Sequence, residues 1–551
     1  MKFVPKGLTR YPHQRQGLMK LIQTGGKCAL LFDPGLGKTA TALDYMSLLA
    51  LKAQPDENGV REVRVLVTGP LVAVDTWVSQ AADYVSDDVN VWSEVLGGSI
   101  TQRAESLAAR GGNPYRASLK KLGKKAHPRA IGYRRSVAWY ARADGRDRAL
   151  PITPSEGPEG LGTAKPRLVI ITVNIDTFAS RQKHRSGTKA DLLLDAVKRF
   201  GPDLVVVDEM HKIKGATSNS SRLLGRIADV VPRRVGLTGT VMPAGPLDVF
   251  AQWRFLEPYA FGHVQPDGSV ARATMGTFSD RFAVKGGYMG REVVGYRNLD
   301  DMQRIMAKNS IVARKEDSLD LPPVMPPVIV PVHLNPKEQS AYEAMKKDLK
   351  TQLMPGREAN VENRLTQMMR LRQITSGHLP DDQGIVHTLG ESKVNVIKSI
   401  ANDTLAGEDR VVIFSVFTHE LDELEQKLKT KGTEVLKVTG ATPVQERLAM
   451  RKRFGSKEPT RMIMLAQIQT MSMAVNELVT SANAIFGSLT QDRADYIQAH
   501  DRLNRIGQTR PVTYWYAVAP GTIDEVIMKT HKDRTNLESA VLKHILEEND
   551  G

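Results

Sequence analysis

One cysteine, Cys28, is all that the 551-residue chain contains. A disulfide within the chain is therefore impossible, and a cysteine-built zinc cage is excluded. That scarcity fits a reducing, intracellular setting. Long apolar runs are missing too. Stretches such as Leu204-Val205-Val206-Val207 stop far short of the roughly 18 residues that a membrane-crossing helix needs, so no membrane is expected as a partner. No apolar stretch follows the basic start Met1-Lys2-Phe3-Val4-Pro5-Lys6, and no secretory signal is read there. Long low-complexity tracts are absent. What remains is the composition of a soluble globular protein, with 41% hydrophobic and 25% charged residues, in a chain long enough for two to four domains.

Acidic residues fall well short of basic ones, leaving a net charge of +15. Such an excess suits a polyanionic partner, and it equally suits plain solubility. Its distribution is uneven. Residues 101–148 carry thirteen arginines and lysines, among them Lys120, Lys121, Lys124 and Lys125, against Glu105, Asp144 and Asp147, a local balance of +10. Tyr115, Tyr133, Trp139 and Tyr140 are interleaved with them. Basic groups neutralise phosphates and aromatic faces stack on bases, so the segment reads as a DNA grip. A solvated surface loop has the same composition.

The chemistry begins at Cys28-Ala29-Leu30-Leu31-Phe32, an apolar run of strand length. Asp33-Pro34-Gly35-Leu36-Gly37-Lys38-Thr39 follows, and then a helical start at Ala40. Strand, glycine loop and helix form the setting of a phosphate loop, in which backbone N–H groups cradle phosphate oxygens at a helix N-terminus. Lys38 would reach the β and γ phosphates, and the Thr39 hydroxyl would hold Mg²⁺. Phe32 stands where such loops usually have their first glycine. A glycine turn with a chance Gly-Lys-Thr is the competing reading. Further on, Leu204 to Val207 reads as a buried strand ending in Asp208-Glu209-Met210-His211. Carboxylates at a strand's C-terminal end are placed to act on a bound nucleotide, Asp208 on Mg²⁺ and Glu209 as general base. Alone, the pair could equally cap a helix. Strand runs at Val63, Leu168 and Arg234 alternate with helix-length segments, which indicates a parallel α/β sheet.

These residues together resemble the Swi/Snf-type ATPases, a branch of the superfamily 2 helicases and translocases. Tyr11-Pro12-His13-Gln14-Arg15-Gln16-Gly17 resembles that family's Q motif, with Gln14 as the adenine-reading glutamine. Gly35 to Thr39 matches motif I, Pro70 and Trp77 motif Ia, Asp208 to His211 motif II, and Leu237-Thr238-Gly239-Thr240 motif III. Arg314-Lys315 with Leu321-Pro322 resembles the connector between lobes, and Val411 to Ser415 motif IV. Gln498-Ala499-His500-Asp501-Arg502-Leu503-Asn504-Arg505-Ile506-Gly507-Gln508 is motif VI almost intact, with Arg502 and Arg505 at the arginine-finger positions. Departures occur at residues 470–478, where only Asn476 and Leu478 keep the look of motif V, and at Gln491 to Tyr496, where a Trp-Asn-Pro is usual.

The resemblance implies an α/β chain of two RecA-like parallel-sheet lobes, with a basic insertion in lobe 1 and a mostly helical connector. The expected divisions are lobe 1 over 1–258 (insertion about 101–165), connector 259–390, lobe 2 over 391–535 and a C-terminal helix or tail over 536–551. ATP and Mg²⁺ are the implied cofactors. Gln14, Gly35, Leu36, Gly37, Lys38, Thr39 and Ala40 would bind nucleotide, and Thr39 and Asp208 the metal. Lys38, Asp208, Glu209, Arg502 and Arg505 would carry catalysis. The expected function is a DNA-dependent ATPase that translocates on double-stranded DNA and remodels DNA or protein–DNA complexes, in replication, repair or recombination. A strand-separating DNA or RNA helicase is the alternative, so single strands or RNA stay open as partners, and an inactive nucleic-acid-binding module comes third. The compact size suggests the cytoplasm of a bacterial or phage-infected cell.

Overall fold

The computed structural model describes residues 10–109, 165–179, 183–184, 187–287, 292–352, 361–381, 383–456, 458, 460–470 and 477–549. By contacts the chain divides into two compact units, Met1–Ser318 with Leu537–Gly551, and Leu319–Asn536.

The first unit is built on β1 (Lys27–Phe32), β2 (Glu62–Gly69), β3 (Asn90–Val95), β4 (Arg167–Asn174), β5 (Leu204–Asp208), β6 (Arg233–Leu237) and β7 (Ser310–Ala313). They form one sheet in the order β7-β1-β6-β5-β2-β4-β3, and every pairing is parallel. Helix α1 (Pro12–Gln23) precedes β1, α2 (Lys38–Lys52) connects β1 to β2, and α3 (Leu71–Tyr84) connects β2 to β3. Central parallel strands are covered on both faces, which is why β1 and β5 read as unbroken apolar runs and not as alternating ones. Cys28 lies inside β1, and burial pushes its thiol up to about 12, so it stays protonated and inert at neutral pH. In such a sheet ligands gather beyond the C-terminal strand ends, and β1, β6 and β5 are direct neighbours there.

The second unit repeats the scheme. Strands β8 (Val328–Pro331), β9 (Arg410–Ser415), β10 (Thr433–Val438), β11 (Arg461–Gln467), β12 (Asn483–Phe486) and β13 (Thr513–Val518) lie in the order β8-β13-β12-β9-β11-β10, again all parallel. Helix α4 (Arg493–His500) leads into the Arg502–Arg505 segment, and α5 (Ile523–Asn549) closes the chain. An ion pair between Lys393 Nζ and Asp524 Oδ2, 2.6 Å long with both side chains at most 5% exposed, ties α5 to the helix Ser392–Gly407. Two parallel α/β sheets are the fold class expected from the strand pattern.

The divisions fall elsewhere than the sequence suggests. Contacts break at Ser318 and not at 258, because Ser310–Ala313 pairs in register with β1, Ala29 opposite Ser310 and Phe32 opposite Ala313. The stretch 259–390 thus contributes a strand to each sheet, β7 to one and β8 to the other. It also holds helices, including Pro336–Gln352. The tail is the end of α5 and no separate helix. Leu542 is buried in the first unit's core, and Glu538 Oε1 accepts a hydrogen bond from the Val241 N–H at 3.1 Å.

Most of the expected basic insertion, residues 110–164, lies outside the described residues, as do residues 471–476 of the altered motif V. Arg103 is described. It sits on the helix Ile100–Ala109 and its guanidinium donates to Thr177 Oγ1 at 2.5 Å, a contact internal to the unit. Among the described residues no helix is long and apolar enough to cross a membrane.

Candidate active site

Beyond β1 the chain turns through Asp33–Gly37 into α2. Gly35 and Gly37 both have left-handed backbones, with φ of 90° and 80°. At Gly37 the requirement is double, since a Cβ there would stand 2.1 Å from Gln14 Nε2. The first turn of α2 has no side-chain cap, so its N–H groups face out of the helix with no carbonyl a turn earlier to receive them. Lys38 Nζ donates to Phe32 O at 2.8 Å and to Asp33 O at 3.4 Å, folding its side chain over the loop. Ala40 is buried and Thr39 half-buried at the start of the same helix. Phe32, in the place of the usual first glycine, has a fully buried ring packed edge-on against His13 at 5.5 Å. Only its backbone carbonyl faces Lys38, which explains why the larger residue is tolerated.

The loop is held from two sides. Leu36 O accepts from Gln14 Nε2 at 3.1 Å and lies 2.9 Å from His13 Nε2. Gln14 Oε1 accepts from the Tyr11 N–H at 3.2 Å. The Gln14 amide thus spends a donor and an acceptor inside the protein, bracing the phosphate loop. On the other side, Asp33 accepts from Arg314 Nη1 at 3.1 Å and from the Lys315 N–H at 3.0 Å. The Arg314-Lys315 pair, expected in a connector, follows β7 directly and clamps the start of the loop.

Asp208 and Glu209 stand at the end of β5. Glu209 has a left-handed backbone, φ 50° and ψ 55°, one of two non-glycine residues among those described with positive φ. Such a conformation costs on the order of 1 kcal/mol or more and persists where surrounding contacts enforce it. Asp208 Oδ1 accepts from the Glu209 N–H at 2.9 Å, and Oδ2 from Trp77 Nε1 at 2.9 Å. Burial, followed by the adjacent Glu209 charge, raises the Asp208 carboxyl above its ordinary range. For Glu209 burial also acts upward, but the bond and charge of His211, with Lys38 and Lys212, outweigh it and lower the group. The Lys38 charge acts on both carboxyls.

His211, 2% exposed, joins this strand end to the next. Its Nδ1 lies 3.3 Å from Glu209 Oε2 and 3.0 Å from Thr238 Oγ1. The Thr238 hydroxyl donates to Thr240 O at 3.1 Å, so it accepts from His211, which places the ring proton on Nδ1. Gly239 backs onto the phosphate loop. A Cβ there would meet Pro34 Cδ at 2.8 Å and Phe32 O at 3.1 Å. The loops after β1, β5 and β6 therefore form one packed constellation.

A test of the carboxyl pair follows from the shift at Asp208. A carboxyl raised on folding binds its proton more tightly in the folded state, so stability falls as pH rises from the ordinary carboxylate range to the raised value. Asp208→Asn removes that dependence. The stability of the variant relative to the parent should climb between pH 4 and pH 8 by roughly 1–3 kcal/mol, read from denaturant midpoints without nucleotide. A flat difference would mean that the buried charge carries no penalty.

In the second unit, Asp492 caps α4 by accepting from the Ala494 and Asp495 N–H groups. His500 stacks on Phe486 at 4.5 Å, and its Nε2 lies 2.6 Å from the Tyr516 hydroxyl, anchoring the helix end. Arg502, 7% exposed, and Arg505, half-buried, follow at once. Burial lowers the Arg505 guanidinium, with the Asp501 and Glu477 charges opposing. Gln508 Nε2 donates to Ser481 O at 2.9 Å and closes the segment. Lys38, Thr39, Asp208 and Glu209 are thus gathered in the first unit, while Arg502 and Arg505 belong to the second. The Trp77–Asp208 bond, the Asp33 clamp and the His500–Tyr516 anchor went unread in the sequence. All three join residues from distant segments that no periodicity connects.

Two family models match most of the chain. The model for the SNF2-related domain matches residues 13–378, and that for the Helicase conserved C-terminal domain residues 392–507. The chain is 25% identical over 391 residues to an uncharacterized ATP-dependent helicase of Mycoplasma genitalium, a match covering 68% of this chain and 35% of that protein. It is 26% identical over 352 residues to the DNA annealing helicase and endonuclease ZRANB3 of Bos taurus, covering 62% and 30%. The match spans about a third of the length of these relatives. A solved Sulfolobus solfataricus SWI2/SNF2 ATPase core in complex with dsDNA aligns at 17% identity with a TM-score of 0.37, over 100% of this chain and 96% of that one.

Proposed function

The chain belongs to the SNF2-related family, and from that premise we propose that it is a DNA-dependent ATPase that couples hydrolysis to translocation on double-stranded DNA and to remodelling of DNA or protein–DNA complexes. One observation carries the proposal: Lys38, Asp208, Glu209 and the His211–Thr238 network meet at the C-terminal ends of three neighbouring strands. An open helix N-terminus and an ammonium suit the anionic end of a nucleoside triphosphate. Two adjacent acidic groups, one forced upward by burial and then by the charge of the other, suit a divalent cation. Thr39 and Asp208 would hold Mg²⁺, which supplies neutralisation of phosphate charge when bound.

Each residue then has a task. Lys38 leaves the Phe32 and Asp33 carbonyls for the β and γ phosphates, and the N–H groups of Gly35 to Ala40 cradle them. Glu209 takes a proton from the attacking water, with His211 Nδ1–H keeping its carboxylate oriented and ionised. Gln14 acts on the nucleotide through the loop it braces, while a direct reading of adenine requires its present bonds to open. Arg502 and Arg505 lie on the other unit. Their guanidinium groups carry the fixed charge and planar donor fork that stabilise a transferring phosphate. DNA as the polymer is supported by the net charge of +15.

The rival, a strand-separating helicase, gains one observation. A hairpin of Ala283–Gly286 and Glu292–Tyr296 exposes Val284, Val293 and Val294, an apolar edge of the kind a wedge between strands needs. Displacement of a triplex strand, run beside unwinding of a forked duplex, separates the two. Triplex displacement driven by ATP is the expected outcome. Fork unwinding without triplex displacement would favour the rival.

A further inference from the structure

Trp77 lies 131 residues from Asp208 in the chain, yet its indole N–H donates to Asp208 Oδ2 at 2.9 Å, with Trp77 fully buried and Asp208 8% exposed. We propose that Trp77 is a positioning residue for the metal-holding carboxylate, fixing the plane in which Asp208 meets the cation. The inference rests on the reading of Asp208 given above and adds a residue to it. The fold places the pair. β2 pairs with β5 so that Thr68 stands opposite Val207, and α3 starts just beyond β2. The indole thereby reaches the end of β5 from the side, along the row of strand ends that carries the site.

Trp is suited to the task by what it cannot do. Its N–H is a donor only; it neither binds a cation nor takes a proton from the carboxylate. Oδ2 is held by the indole and Oδ1 by the Glu209 N–H. Two bonds from two directions set the carboxylate rotamer and leave one lone pair on each oxygen for an incoming ligand. Packing alone would not ask for this side chain, because an apolar ring of similar size fills the space without burying a donor that needs a partner. Partners of this kind around a ligating carboxylate typically change metal affinity about 10- to 100-fold when removed.

The test replaces Trp77 with β-(3-benzothienyl)alanine, which keeps the ring shape and lacks the N–H, with Trp77→Phe made in parallel. Mn²⁺ serves as probe, its free concentration read by electron paramagnetic resonance in the presence of saturating AMP-PNP. The isostere should raise the Mn²⁺ Kd by about 10-fold or more, with AMP-PNP affinity in the absence of divalent cation and thermal stability near the parent. In an Asp208→Asn background the same replacement should cost nothing further, since the bond acts through the carboxylate. ATP turnover should fall through kcat and recover in part at high Mg²⁺. An unchanged Mn²⁺ Kd in the folded isostere would reduce Trp77 to a core residue and overturn the proposal. Absence of nucleotide-dependent Mn²⁺ binding in the parent protein would instead overturn the reading of Asp208 itself.

Discussion

Glu209→Gln lowers duplex-stimulated phosphate release by a factor of about 10² to 10⁴ and leaves nucleotide binding in place. The amide matches the carboxylate in shape, so the left-handed turn at 209 and the approach of His211 Nδ1–H survive. What disappears is a carboxylate on which burial acts upward and which the His211 bond, with the charges of His211, Lys38 and Lys212, holds below its ordinary range. Removing its charge also removes the second cause of the upward shift at Asp208. ATP with Mg²⁺ should therefore bind as tightly as in the parent, or more so. Phosphate release measured beside equilibrium binding of a fluorescent nucleotide checks both halves. Turnover within a few-fold of the parent would remove Glu209 from the mechanism.

Arg505→Ala is expected to cost a comparable amount, about 10³-fold or more in kcat, if the residue meets the transferring phosphate as an arginine finger. The side chain also sits near Asp501 and Glu477, whose charges act on it, so the alanine variant gives up local stability as well. Arg505→Lys separates the two effects. It keeps the positive charge beside those carboxylates but loses the planar donor fork. The lysine variant should melt close to the parent and still turn over on the order of 10²-fold more slowly. A lysine variant with full activity would assign Arg505 to the packing of its own unit.

Much of this site was legible because each motif is local. A short apolar run followed by Gly35-Leu36-Gly37-Lys38-Thr39 encodes strand, turn and helix start within one window, and the same holds for Leu204 to Glu209. The parallel α/β class followed from such runs recurring between helix-length segments. What stayed hidden depends on pairing at a distance. Ser310–Ala313 is too short for its periodicity to declare a strand, and only its register with β1 moves the end of the first unit from 258 to Ser318. Gln14 matches a base-reading position in sequence, while the structure shows its amide bonded to Leu36 and Tyr11. Phe32 reads as a defect in the loop until its ring is seen against His13. Trp77 reads as one more core aromatic until its N–H is found on Asp208.

One constellation, at the ends of β1, β5 and β6, is proposed to hydrolyse ATP under the control of DNA. Phosphate release by the purified chain in Mg-ATP, with and without saturating linear duplex, tests it most directly. A slow basal rate, a severalfold rise on adding duplex, and loss of both in Glu209→Gln are expected. A rate that ignores duplex DNA, or one that Glu209→Gln leaves intact, would contradict it.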